Sequence, residues 1–356
     1  MLAIIWYTEV DVMTITVREL QSTLDDMQVV TRFVNAWLPE YLPRRTAEAR
    51  LQDHMDACAS SEFISFGFIA ESDGEPVGVA SAGNAGLAII NGAISLMVFI
   101  ESDHRRQGIG KHLMDMASGF AADAGYTHWF TTLPEEHTDS LTWARAHGFE
   151  EVDRGYHLAF TVSTWDAATG RKILDETKGK GVCIASLVEL QQEHEDWAER
   201  LQELCLSFAK DLPIGFDVAE IFHSDTEAFI KSLKIEMKTD FAGSFVALID
   251  GEWAATAWLA KPEQDADWCG HSMTGVHPDY RRRGLVKALK QAGFDWARRK
   301  GLTAIHTHQQ ESNAPMLDLN RRLGFEVKTC MVTMRREIML SAESRKHENQ
   351  TSASDS

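Results

Sequence analysis

Alternating apolar and polar positions give way to helical periodicity several times along the chain, in a fixed order. TITVREL (residues 14–20) reads as a strand feeding an amphipathic helix, and GVCIASL (181–187) opens the same way. In the second case Ser186 and Glu189 form a capping-box pattern at the helix start. Asp-Gly then joins two β-rich runs in FGFIAESDGEPVGVASAG (66–83) and again in FVALIDGEWAATAWLA (245–260), which predicts two hairpins. A further strand follows, GAISLMVFI (92–100) or CGHSMTGV (269–276), and then an Arg-Gly loop. Next come a helix ending at glycine (111–125; 287–301), a strand (127–133; 303–309), a helix running into Gly-Phe (139–149; 315–325) and closing strands. This order predicts an α+β fold made twice, each copy a mixed, mostly antiparallel sheet flanked by helices.

The second pass is a copy of the first. Arg105 and Arg281 stand 176 residues apart (281 − 105), and Gly108/Gly284, Gly125/Gly301, Thr131/Thr307, Gly148/Gly324 and Phe149/Phe325 keep that register. The two DGE turns, at Asp73 and Asp250, match after a slip of one residue. Such phasing marks duplication of a domain-sized unit. The expected division is an extension over 1–12, a first domain over 13–165, a joining segment over 166–180, a second domain over 181–340, and a polar disordered tail over 341–356. The convincing strand opening at Met13 makes residues 1–12 an expected upstream extension without a role.

The 356 residues are 44% apolar and 25% charged, enough for two ordinary cores. The net charge of −18 argues against a nucleic-acid partner, which needs a basic face. It also suits a cationic small molecule as a partner, beside its plain meaning of solubility. Five scattered cysteines with no CxxC predict reduced thiols in a cytoplasmic protein, with neither a disulfide frame nor a metal site. No apolar run reaches the length of a membrane span, and the N-terminus lacks a secretory pattern.

The chemistry concentrates in the two Arg-Gly loops, Arg105-Arg106-Gln107-Gly108-Ile109-Gly110 and Arg281-Arg282-Arg283-Gly284-Leu285-Val286. A helix N-terminus offers unpaired N–H groups and a partial positive charge, glycine admits close approach, and arginine adds bidentate donors. A pyrophosphate cradle is the functional reading; a turn with solvated arginines is the plain one. Neither loop is a P-loop or a dinucleotide fingerprint. The loops resemble the [QR]-x-x-G-x-[GA] signature of the GNAT superfamily of acyl-CoA N-acyltransferases. The first matches fully; the second departs only at Val286. The wider stretch from TGVHPDYRRRGLVKALK to NRRLGF, with Asp211 in DLP, is similar to the C-terminal half of tandem GNAT proteins.

The resemblance implies that acetyl-CoA is the co-substrate. The N–H groups of residues 106–111 (through Lys111) and 282–287 (through Lys287) would hold its pyrophosphate. The strands ending at Ile100 and Val276 would run beside its pantetheine arm. A splay there would leave an N–H to polarise the thioester carbonyl. Asn313 and Asn320 stand at positions facing the CoA side. The family's thiolate-protonating tyrosine is replaced by Ala144 and Asn320, and His137 stands where the second copy has Asn313. His271, on the strand feeding the second cradle, is the expected base; His306 and His308 share a face of the next strand. The expected reaction is acetyl transfer to the primary amine of a small cationic molecule, with the second copy as the main catalytic one. The alternatives are a protein or peptide amine as acceptor, or a non-catalytic acyl-CoA sensor or scaffold. The expected state is a monomer with an internal pseudo-dimer, or a homodimer.

Overall fold

The computed structural model describes residues 4–6, 15–39, 44–58, 63–84, 92–211, 222, 225–235, 237–260 and 266–338. The expected disordered tail and most of the expected N-terminal extension lie outside them. Residues 4–6 form β1 (Ile4–Trp6), antiparallel to β2 (Ile15–Glu19). The chain forms two compact units. One gathers residues 1–133, 138–152 and 333–356; the other gathers 134–137 and 153–332.

In the first unit β2, β3 (Ser65–Ser72), β4 (Glu75–Gly83) and β5 (Ala93–Ile100) pair antiparallel in chain order. The β3–β4 turn is the Asp73-Gly74 pair, both with positive φ, as a tight hairpin of the matching twist demands. β6 (His128–Pro134) lies parallel beside β5. Helix α1 (Leu24–Trp37) starts at Thr23, whose side chain accepts from the Asp26 N–H, and α2 (Ala47–Cys58) follows it. Val30, Phe33 and Val34 of α1 pack on Ile69 and Val79 of the sheet. Helix α3 (Ile109–Asp123) buries Leu113, Met114, Ala117 and Ala121. Helix α4 (Thr138–Ala146) follows β6.

The second unit takes in most of β7 (Glu150–Thr161), which pairs antiparallel with β12 (Ala304–Gln310). From β12 the order runs through β11 (Trp268–Val276), β10 (Glu252–Leu259), β9 (Phe245–Ile249) and β8 (Val182–Ser186). Only β11–β12 is parallel; the rest of this run is antiparallel. The last strand, β13 (Glu326–Glu337), divides at residue 332: its first part belongs to this unit and its end to the other.

The polar segment expected to join the two copies is helical. Asp166 caps α5 (Ala167–Gly179) by accepting from the Ala168 N–H, and Trp165 and Leu174 pack on the neighbouring core. Its lysines and acids simply form the outer face of an amphipathic helix. Beyond β8 come α6 (Leu187–Glu193), with its Ser186–Glu189 capping box formed, α7 (Trp197–Phe208) and α8 (Thr226–Ile235). Two cores cover the two faces of this sheet. Leu285, Leu289, Phe294 and Trp296 of α9 (Leu285–Arg299), with Leu317 of α10 (Ala314–Arg322), pack on one face against Phe160, Leu259 and Ile305. Leu187, Leu201, Phe208 and Phe229 pack on the other against Val246, Trp258 and Met273.

Candidate active site

Both Arg-Gly loops adopt the same backbone path. Arg106 and Gly108 have φ of 64° and 83°, and Arg282 and Gly284 have 62° and 78°. A left-handed arginine is an uncommon, costly conformation, held here twice at matching positions. Gly108 and Gly284 are the N-caps of α3 and α9 and give no side-chain cap. The loop side chains repeat as well. Arg105 Nε donates to the Ile100 carbonyl at 3.0 Å, and Arg281 Nε to the Val276 carbonyl at 3.4 Å. Gln107 Nε2 donates to the Asp103 carbonyl and Arg283 Nη2 to the Asp279 carbonyl. Arg281 is further held by Asp211.

This path leaves donors free. Among the described residues, the backbone N–H groups of 106–111 and of 282–287 make no bond to another backbone carbonyl. They converge at a helix N-terminus, where partial positive charge gathers. A Cβ added at Gly108 or Gly284 would meet nothing within 4 Å, so both loops open outward. Unpaired donors, a helix dipole and adjacent guanidinium groups fit a pyrophosphate. Val286 leaves this arrangement intact: α9 begins directly after Gly284 as α3 begins after Gly108. At the corresponding Gly110 an added Cβ would meet its neighbours only at 3.5 Å or beyond, so the position has room for a side chain.

The strands leading into the cradles are forked. β11 pairs with β12 only over Trp268–Gly270 with Ala304–His306, although it runs on to Val276. β5 pairs with β6 only over Ala93–Ser95 with His128–Phe130 and runs on to Ile100. Backbone groups beyond the last pair have no ladder partner on that side; the Thr307 hydroxyl donates to the His271 carbonyl at 3.1 Å, and the groups past it suit pairing with an extended ligand. The forks differ in one detail. Trp258 pairs with Met273 and Leu259 with His271, so Ser272 is an extra residue bulged out of β11. The β4–β5 ladder runs from Gly78–Ile100 to Gly83–Ser95 without a shift.

The bulge decides where His271 points. Its ring lies toward α9, lining a small cavity of about 10 Å³ with Leu259, Leu289, Lys290 and Phe294. Nε2 is 3.2 Å from Lys290 Nζ. Lys290 is 2% exposed, and its ammonium lies 5.1 Å from the Phe325 ring centre. Burial pulls the Lys290 amine down to about 7. Burial first, and the lysine charge second, hold His271 well below the ordinary imidazole range.

The opposite face of β12 carries His306 and His308, and β7 adds His157. His157 Nε2 is 2.9 Å from His306 Nδ1, and the His306 ring stands edge-on to Trp268 at 5.6 Å. Burial is the first cause lowering all three imidazoles, His157 to about 4. The fork apex thus separates His271–Lys290 on one face from His157–His306 on the other.

Asn313 is engaged as the N-cap of α10, its side chain accepting from the Met316 N–H at 3.4 Å. Asn320 is 1% exposed, and its Oδ1 is buried without a hydrogen-bond partner. Among the described residues no group of three or more His, Cys, Asp or Glu side chains is arranged to hold a metal, and no helix is long and apolar enough to cross a membrane.

Sequence reasoning missed Lys290 and His157. Lys290 follows Val286 by four positions and precedes Phe294 by four, so helical periodicity alone places it on the buried stripe. His157 sits in a strand whose partner is β12, a pairing between the two repeats that no local pattern reveals.

Loops and forks of this form fit the binding of an acyl-CoA by an N-acyltransferase. Residues 197–325 match the Acetyltransferase (GNAT) family and residues 64–151 an Acetyltransferase (GNAT) domain. Together the matches span more than half of the chain, which belongs to the GNAT family as a tandem acyl-CoA-dependent N-acyltransferase. Mycothiol acetyltransferase of Clavibacter michiganensis subsp. michiganensis is 25% identical over 266 residues, 74% of this chain and 78% of that protein. Mycothiol acetyltransferase of Thermobifida fusca is 25% identical over 265 residues, 65% of this chain and 71% of its own. A tandem GNAT protein from the clavulanic acid biosynthesis pathway has the same fold, with a TM-score of 0.67 at 17% identity over 92% of this chain and 99% of that one. A GCN5-related N-acetyltransferase from Sphaerobacter thermophilus gives 0.66 at 20% identity over 90% and 96%.

Proposed function

We propose that the second unit transfers acetyl from acetyl-CoA to the primary amine of a small cationic molecule by direct attack. The observation that carries this reading is the fork: open β11 and β12 edges, led by a bulge, run straight to a cradle of unpaired N–H groups at α9. Residues 282–287 would hold the pyrophosphate, with Arg281, Arg282 and Arg283 adding positive charge. Val276 and its neighbours would lie along the pantetheine arm. Asn320, with its unpaired buried oxygen, would be available to the acyl-donor side; Asn313 would keep α10 in place. The first cradle, with Arg105, Arg106, Gln107, Gly108, Ile109, Gly110 and Lys111 behind Ile100, would bind the same donor without the polar groups beneath it.

Curated relatives act, by name, on mycothiol, which favours a small-molecule acceptor over a protein amine. The net charge of −18 favours a cationic one. Free alkylamines are almost wholly protonated at neutral pH, so a base must take a proton near the thioester. Thiol release from acetyl-CoA, followed with a panel of cationic, neutral and anionic amines at low and high salt, tests the reading. Cationic amines should react best, and salt should raise their KM about two- to fivefold by screening. Preference for anionic amines would remove the charge argument. Absence of release with every small amine, together with acetylation of a peptide amine, would move the acceptor class.

A further inference from the structure

We propose that His157 and His306 form a two-imidazole proton acceptor at the apex of the β11–β12 fork, with His306 taking the amine proton and His157 fixing its tautomer. The inference rests on the proposed function and names the base within it.

His306 pairs with Gly270, the last β11 residue before the strands part. Gly270 bears no side chain, and a Cβ there would meet only the Ala260 Cβ at 3.6 Å among the described residues. Among the described residues, no side chain from Gly270 covers the half-buried His306 where the fork begins, and Trp268 stands along the edge of its ring. On the other face, the half-buried His271 points toward α9, with Nε2 3.2 Å from Lys290 Nζ.

The 2.9 Å contact between His157 Nε2 and His306 Nδ1 holds a single proton between two rings. With that proton on His306 Nδ1, His157 accepts it and His306 Nε2 carries a bare lone pair. This is the logic by which an acceptor behind an imidazole sets its tautomer. β7 fixes the partner: its register sets His157 across from His308 and Ala159 across from His306. The His308 ring lies against Gly155, where a Cβ would come within 2.2 Å of it. Burial outweighs the carboxylates facing the histidines and favours neutral rings. Burial and Lys328 lower His306 against a smaller opposing effect of Asp267. Burial lowers His308 against Asp153, and burial with both neighbouring histidines lowers His157.

In the step, the neutral amine nitrogen bonds to the thioester carbonyl carbon. The C–S bond breaks, and its electron pair leaves on the CoA sulfur. The nitrogen's surplus proton moves to His306 Nε2 and from there to solvent, while the thiolate takes a proton from water. A nitrogen that has become bonded to the carbonyl carbon holds its proton weakly, so an imidazole kept neutral by its surroundings suffices. In the first unit Phe130 stands where His306 does, and Thr132 faces Thr333 at 3.3 Å where His308 faces His157. The acceptor therefore belongs to the second unit alone.

Steady-state kinetics, calorimetry with acetyl-CoA and nitrogen-15 NMR of the histidine rings test the proposal on the full chain. His306→Gln should lower kcat about a hundredfold with acetyl-CoA affinity unchanged. His157→Phe should lower kcat about tenfold and displace the acid limb of the pH–rate profile, and His157→Gln, which retains an acceptor oxygen, should recover most of it. The NMR spectrum of the unmodified protein should show His306 protonated on Nδ1. Unchanged kcat in His306→Gln, or a His306 protonated on Nε2, overturns the inference alone. Weakened acetyl-CoA binding in His306→Gln shows a structural role and overturns it too. No transfer by the unmodified protein to any amine overturns the proposed function and this role together, the tautomer measurement still deciding whether the pair is built as described.

Discussion

The two Arg-Gly loops share left-handed positions, N-caps and side-chain ties, yet what lies beneath them differs at several polar positions. Both loops hold a left-handed arginine and a left-handed N-cap glycine, with the same side-chain ties back to the strand. Under α9 a lysine meets a histidine; at the matching place under α3 is Met114, 2% exposed, whose sulfur accepts from Arg336 at 3.1 Å. One fork apex carries His306, the other Phe130. One strand has a bulge, the other none. On the proposed function, donor binding would ask only for backbone N–H groups and survive wherever the turn survives, whereas chemistry on the acceptor would ask for particular side chains that one copy can keep and the other lose.

The sharpest way to break this comparison is to remove the cradles one at a time. Gly284→Glu places a carboxylate at the pyrophosphate position and forces a β-carbon onto a left-handed residue, at about 1–2 kcal/mol for the strain alone. Turnover should fall at least about a thousandfold, while Gly108→Glu should leave kcat within about twofold and remove only one acetyl-CoA site in calorimetry. The reverse pattern would make the first unit the active one.

A smaller effect comes from making the second core resemble the first. Lys290 titrates near 7 when folded and near 10.5 when unfolded. Between those values the unfolded chain holds more protons, so stability rises with pH; below about 7 the charged, buried amine carries its full cost. Lys290→Met should therefore stabilise the second unit by up to about 4 kcal/mol near pH 7 and about 2 kcal/mol near pH 9. Urea midpoints at the two pH values measure this. A gain that does not shrink with pH would mean that the amine is not held down by burial.

The smallest effect concerns Asn320, whose counterpart is Ala144. Its buried Oδ1 lacks a partner, so Asn320→Leu should raise stability by about 1 kcal/mol. If the oxygen serves the acyl donor, acetyl-CoA affinity should fall in the same variant. Lower stability with unchanged affinity would leave the residue a purely packing role.

The duplication, the order of strands and helices, both hairpin turns, the capping box and both Arg-Gly turns were legible in the residues themselves. Each is written locally: Asp-Gly turns, Ser-x-x-Glu caps and Arg-x-x-Gly loops act within a few residues of their own backbone. Three things were decided only by tertiary structure. The bulge at Ser272 depends on register against β10, and a one-residue shift changes the face that His271 occupies. The meeting of His157 with His306 depends on β7 pairing with β12, across 149 residues of chain. The state of Lys290 depends on burial against Phe325 and His271. A lysine in a sequence is a charge, and only the loss of surrounding water makes it a near-neutral amine. Local chemistry fixes where a backbone turns; which side chains share a face, and how dry that face is, follows from pairings the sequence does not spell out.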